Sequence, residues 1–205
     1  MIEVDQIELM GALVYRTRQA LVSPALEKGE NKYLALVNAG KTQHSVENLY
    51  YYPGTYEEIK NAFDIQNRAV KDLRFPSVIS YQQVTEEISL FQTIHYELAI
   101  ITASNQEWTT EQREVSVFQP VLTPIYNELI KQIKSCGWFD LGTNEPSYTK
   151  TKVFTTGNQL FDISKDLFGD SVDFIRIRNL KLKVKNSLCQ DDLARIKEEY
   201  QKVYQ

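Results

Sequence analysis

Apolar side chains recur at a helical interval over residues 5–22 (Ile7, Leu9, Met10, Leu13, Val14, Ala20, Leu21), which predicts an opening helix that stops at Ser23-Pro24. Residues 32–37 form a short apolar run closed by Asn38-Ala39-Gly40, the pattern of a buried strand and its turn, and the chain from there to Tyr52-Pro53-Gly54 reads as loop. Thr55 with Glu58 three residues on is a capping box: the hydroxyl accepts from an early amide and the carboxylate reaches back. The helix it opens is predicted over 56–73, with Ile59, Ala62, Phe63, Ala69, Val70 and Leu73 as its inner stripe. Phe75-Pro76 ends it, because proline has no amide hydrogen and disfavours the helical region for the residue before it.

The period then changes. A strand is predicted over 78–84, and residues 90–102 alternate, with Ile94, Tyr96, Leu98 and Ile100 on one face and Thr93, His95, Glu97 and Ala99 on the other. The two strands suit an antiparallel pair with one wet face. After a loop at 104–110, Val115, Phe118, Leu122, Ile125, Tyr126, Leu129 and Ile133 give the strongest helical pattern in the chain, over 111–136. Pro120 and Pro124 predict either a kink or a break near Phe118, and Gly137 a terminator. Residues 138–156 read as an extended excursion with a short strand at 152–155. Residues 174–185 alternate but change phase near Asn179, which predicts a bulge or two joined strands, and a last helix runs from Gln190 to about Tyr204.

These elements predict an α+β fold, a mainly antiparallel sheet flanked by the helices at 56–73 and 111–136, with extended arms. The core is expected over 1–137 with a loop or arm at 24–54, and 138–205 is a carboxy-terminal extension carrying a β-ribbon and the final helix, in the same domain or as an arm. A chain of 205 residues with 42% hydrophobic and 24% charged residues can bury one sizeable core, which excludes a disordered or low-complexity protein. The formal net charge of -4 argues against nucleic-acid binding through overall charge. No apolar run approaches the roughly 20 residues of a spanning helix, and Met1-Ile2-Glu3-Val4-Asp5 lacks the basic start of a signal peptide, so neither is expected. Cys136 and Cys189 stand apart with no metal-ligand spacing, which signals neither a disulfide framework nor a zinc site.

Little in the sequence carries chemistry. The segment 35–42, ending in Gly40-Lys41-Thr42, satisfies a relaxed phosphate-loop pattern after a predicted strand, but Leu36 and Val37 fill what should be a permissive loop and no periodic helix follows before Pro53. His44 and His95 are the two histidines. His95, beside Glu97 on the polar face of its strand, suits a general base by residue type, but no serine or cysteine lies in a nucleophile motif. The adjacent pairs Glu86-Glu87 and Asp191-Asp192 fit turn and helix-start positions better than two carboxylates converging on one bond. No catalytic residue, cofactor or metal is therefore expected. Arg176, Arg178, Lys181, Lys183 and Lys185 place five cations between 176 and 185 with no acid among them, a stripe suited to phosphate, to solvent or to the acids of a neighbouring subunit. Tyr50, Tyr51 and Tyr52 before Pro53 are either an interfacial aromatic cluster or core.

The stretch from Thr55 to about Ile133 has the order helix, Phe75-Pro76, strand, hairpin, strand, Arg113 and then Phe118-Gln119-Pro120-Val121-Leu122-Thr123-Pro124-Ile125-Tyr126. It resembles the tail-terminator and tail-completion (neck) proteins of tailed bacteriophages. The tyrosine- and asparagine-rich character and the long carboxy-terminal addition are more specifically similar to the tail-barrel ring proteins of crAss-like phages. Segment 24–54 and everything after Trp138 have no counterpart in the family pattern.

That resemblance implies a noncatalytic virion component, made in the bacterial cytoplasm. Such proteins form rings, six-fold in classical long-tailed phages and twelve-fold where rings stack under a dodecameric portal. They join portal to tail and enclose the DNA channel. The partners implied are copies of the chain itself, the adjoining portal, neck and tail rings, and nonspecific contact with genomic DNA, with no membrane. A ring would place 24–54 and 138–188 against neighbouring subunits. The alternative is a monomeric DNA- or protein-binding adaptor that uses the basic ribbon 174–185, and a nucleotide-binding enzyme using Lys41 ranks last.

Overall fold

The computed structural model of the chain describes residues 4–22, 49–67, 75–81, 85–88, 91–105, 107–142, 146–154 and 171–204. The strand expected at 32–37, Lys41, His44, most of the arm at 24–54, the distal turns of the second helix and the strand end at 82–84 lie outside these residues.

The first helix, α1 (Gln6–Val22), begins where expected. The Asp5 carboxylate caps it by accepting from the amides of Ile7 and Glu8 at 2.7 and 3.0 Å. The Gln92 side-chain amide clamps its start to the sheet, donating to the Val4 carbonyl and accepting from the Val4 amide. The Thr55 box forms as the spacing predicts: the Thr55 amide donates to Glu58 Oε2 at 2.7 Å and the Glu58 amide donates to Thr55 Oγ1 at 3.4 Å, opening α2 (Tyr56–Asn67).

Among the described residues one six-stranded, mostly antiparallel sheet forms, so the fold is α+β. β1 (Tyr50–Gly54) runs parallel to β2 (Ser77–Tyr81), which is antiparallel to β4 (Gln92–Ala103). β3 (Thr85–Ile88) pairs with the other end of β4, β6 (Val172–Lys183) lies along the far side of β4, and β5 (Thr149–Phe154) pairs with β6. The spatial order is β1-β2-β4-β6-β5, and β4 and β6 are its centre.

The two faces are covered unequally. Ile94, Tyr96, Leu98 and Ile100 pack with Ile175, Ile177, Leu180 and Leu182 under α1 and the long helical run, in the larger core. The opposite face was expected to be wet, but it is so at one end alone: Ala99, Ile101 and Phe174 are buried beneath Ile59 and Phe63 of α2. A strand face is wet only where no helix stripe lies over it, and alternation by itself does not say how far a helix reaches.

The long helical run does not break near Phe118: α3 (Thr110–Arg113) leads into wide, π-type turns over Glu114–Leu122 and then α4 (Thr123–Ser135). The Thr123 amide donates to the Phe118 carbonyl, five residues back. Pro120 lacks a donor and would press on the carbonyl four residues back in an α-turn, and the wider turn relieves both problems. Gly137 does end the run, at φ +81°.

Among the described residues after 137, several belong to the main core. Trp138 and Phe139 are buried in the main core, Phe139 bridges to Val184, and the final helix, α5 (Gln190–Lys202), packs along α1. The expectation that 138–188 stays off its own core is thus corrected for Trp138, Phe139 and β6. β6 supplies Ile175, Ile177, Leu180 and Leu182 to the same core as β4, because its apolar alternation has no other buried surface to occupy.

Candidate interaction face of the sheet

The phase change near Asn179 is a bulge. Tyr96 opposes Leu180 and Leu98 opposes Ile177, so Arg178 and Asn179 together face Glu97 alone. Asn179 takes φ +57°, a left-handed conformation that asparagine tolerates better than most side chains. Glu97 Oε1 accepts from the Asn179 amide at 3.2 Å, which satisfies the backbone group that the bulge frees.

The bulge decides where the cations go. Without it, the alternation through Ile175 and Ile177 would send Lys181 and Lys183 into the core and Leu180 and Leu182 out. With it, Arg176, Arg178, Lys181 and Lys183 all lie on the α2 face, Arg176 opposite the buried Ala99 and the other three at the end that α2 leaves uncovered. Acids from other strands meet them there. Arg178 Nε is 3.8 Å from Glu97, Lys181 Nζ 3.3 Å from Glu87 and Lys183 Nζ 3.1 Å from Asp140. His95 Nε2 stands 3.2 Å from Glu87 on its other side, an ion pair when the imidazole is protonated.

Hydrogen bonding from Lys181, helped by its charge and by His95, holds the Glu87 carboxyl below the ordinary range. Asp140 is lowered first by Lys183 and then by the Gly142 amide, with Lys185 adding to the field. Lys183 also lies 3.5 Å over the Phe91 ring. The stripe predicted from spacing is therefore one face as expected, but three of its five cations sit beside carboxylates of their own chain. A surface of alternating, self-paired charge is poorly suited to neutralising phosphate and well suited to meeting another patterned protein surface.

The three tyrosines separate. Tyr51 is fully buried in the main core, where burial pushes its phenol well up, so it is corrected from interface candidate to core residue. Tyr50 and Tyr52 are half-buried on the other face, and the Tyr52 ring centroid lies 4.9 Å from that of Phe63.

Two groups escaped sequence reasoning. At one end of the sheet, Arg113 and Asp173 form a buried pair, 2% and 0% exposed, with Nη1 donating to Oδ1 at 2.8 Å. Arg113 Nε donates to the Trp108 carbonyl at 3.1 Å, and the Ser104 hydroxyl donates to Asp173 Oδ2 at 2.6 Å. At the β5 edge, Lys152 Nζ meets Glu114 at 2.6 Å and Lys150 Nζ lies 3.5 Å over the Tyr126 ring. Burial and then Lys152 push Lys150 down from the ordinary lysine range. The regular Thr-Lys-Thr-Lys run at 149–152 is the signal that could have marked this edge.

Among the described residues no cluster of His, Cys, Asp and Glu could hold a metal ion, and no helix is long and apolar enough to cross a membrane. The chain matches no known family model, no curated protein and no solved structure.

Proposed function

We propose that this chain is a structural subunit of a bacteriophage neck or tail. It assembles with copies of itself into a closed ring of six or twelve, joins portal to tail, encloses the DNA channel and catalyses no reaction. The observation that carries the reading is the placement of the segment resembling tail-terminator and neck proteins. Its helix, hairpin and long helix are α2, β2 to β4 and the α3–α4 run, in the order read from the sequence, with α2 and the run on opposite faces of one sheet.

The self-paired charge of β6 favours a protein neighbour over bare DNA. In a ring, contact with genomic DNA is then incidental and nonspecific, and the DNA-binding form of the monomeric adaptor reading is disfavoured by the pairing of Arg178, Lys181 and Lys183. Light scattering on the chain after size-exclusion chromatography, with negative-stain imaging, should give a cyclic species, and immunogold should place it at the neck or tail of purified particles. A monomer at every concentration, with or without its neighbouring virion proteins, rules the reading out.

A further inference from the structure

The sheet carries oppositely charged strands on its two flanks, with the uncharged β1 forming the rest of the flank that β3 shares. On one flank β5 pairs with β6 alone among the described residues, and carries Lys150 and Lys152. On the other flank β3 pairs with β4 alone among the described residues, and carries Glu86 and Glu87. Lys152 and Glu87 are engaged within the chain, by Glu114 and by Lys181 and His95. Glu86 and Lys150 form no ion pair with any described residue.

Face and direction agree as well. Glu86 opposes Ile94, Lys150 opposes Ile177 and Lys152 opposes Ile175, so these charged side chains project from the sheet face that holds the main core. Ile88, 61% exposed, ends β3, and Val115, 57% exposed, adjoins Glu114, which holds Lys152. Each flank thus pairs its charge with one large exposed apolar side chain. Three antiparallel steps, β3 to β4, β4 to β6 and β6 to β5, leave β3 and β5 running in opposite directions. A copy rotated in place beside the first, same face outward, therefore presents β3 antiparallel to β5.

From this we propose that β3 of one copy adds to β5 of the next, continuing the sheet from subunit to subunit, an interface that rests on the ring reading and names its contact. Like edges repel: β5 against β5 sets lysine beside lysine, and β3 against β3 sets glutamate beside glutamate. Unlike edges attract, so a head-to-tail contact, the kind that closes a ring, is selected over a two-fold dimer. β3 lies level with residues 92–95 of β4, whereas β5 pairs with 173–178, which run beside 97–102. The join consequently inclines the strands to the ring axis, as closure of any barrel-like sheet does.

Charge exchange in the full chain tests this. Glu86→Lys and Lys150→Glu, each checked for folding by circular dichroism, should each lose the ring species seen for the unaltered chain. The double variant, and an equimolar mixture of the two single variants, should regain it, because every junction then joins unlike charges again. Rings unchanged in both single variants would overturn the interface and leave the ring reading standing, as would single-variant loss that neither the double variant nor the mixture repairs. A monomeric unaltered chain removes the ring reading and this contact with it. If a single variant fails to fold, amide exchange of the unaltered chain decides: β3 and β5 amides must slow in the assembled fraction relative to the dilute subunit, and equal rates refute the pairing.

Discussion

The buried Arg113–Asp173 pair joins the start of the long helical run to the start of β6, 60 residues away in sequence. Asp173→Asn keeps the shape of the site but leaves the guanidinium, 2% exposed, without its countercharge. Removing one partner of a buried pair typically costs about 3–5 kcal/mol, against about 5–15 kcal/mol for a whole domain, so the variant should fold but lose a large share of its margin. In urea, at a slope of about 2–3 kcal/mol per molar, the midpoint should fall by roughly 1–2 M. Replacing both partners, Arg113→Met with Asp173→Leu, removes the stranded charge along with its partner and should recover most of the loss. The exposed Lys131–Glu128 pair is the control: Lys131→Ala should shift stability by less than about 0.5 kcal/mol. A loss under about 1 kcal/mol in Asp173→Asn, or a double variant worse than either single one, would show that the pair does not hold the helix to the sheet.

Gly11 sits where α1 meets β1 and α5. A Cβ built there lies 2.3 Å from Tyr200 Cδ2 and 3.1 Å from Tyr51 Cδ1, so Gly11→Ala should destabilise by about 1–3 kcal/mol in the same urea assay. Adding Tyr200→Ala should then cost less in that background than alone, and additive losses would refute the clash. Acid should also weaken the fold. Glu58, Glu87, Asp140 and Asp192 are each held below their ordinary range, by Thr55, Lys181, Lys183 and the Cys189 amide first in each case. A carboxyl lowered on folding contributes stability above its unfolded pKa and loses it as pH falls through the folded value. The thermal midpoint should therefore hold between about pH 6 and 5 and drop below about pH 4, with Glu58→Gln and Asp192→Asn flattening the drop. A midpoint level down to about pH 2.5 contradicts it.

What the sequence made legible is local. The Thr55–Glu58 box, the period of α1, the alternation of β4 and the phase slip at Asn179 each depend on residues within a few positions of one another, and each formed as its spacing required. What it hid is long-range. Nothing near Arg113 points to Asp173, and nothing near 181 or 183 points to Glu87 or Asp140, because those partners come from strands and turns that pairing brings together. Trp138 and Phe139 looked peripheral because they sit among turn residues, yet Phe139 bridges to Val184 and both rings fill the core. The π-type turns were hidden for a different reason: Pro120 and Pro124 announce that an α-register fails, but only the packing of Val117, Phe118, Val121 and Leu122 on the sheet decides that the run widens instead of breaking.

The bulge at Asn179 links those two levels. A one-residue insertion in β6 keeps Ile175, Ile177, Leu180 and Leu182 on the core face and gathers the cations on the other, where Glu97, Glu87 and Asp140 stand ready from β4, β3 and the turn after α4. Each of those pairs is solvent-facing and contributes little stability singly. Their structural effect is to cancel charge in the middle of the sheet, while Glu86 and Lys150, which meet Gln92 and the Tyr126 ring and no opposite charge among the described residues, fall on its two opposite flanks. The proposed β3-to-β5 contact sets these unlike charges beside one another, and copies that repeated it by a constant rotation would close a ring.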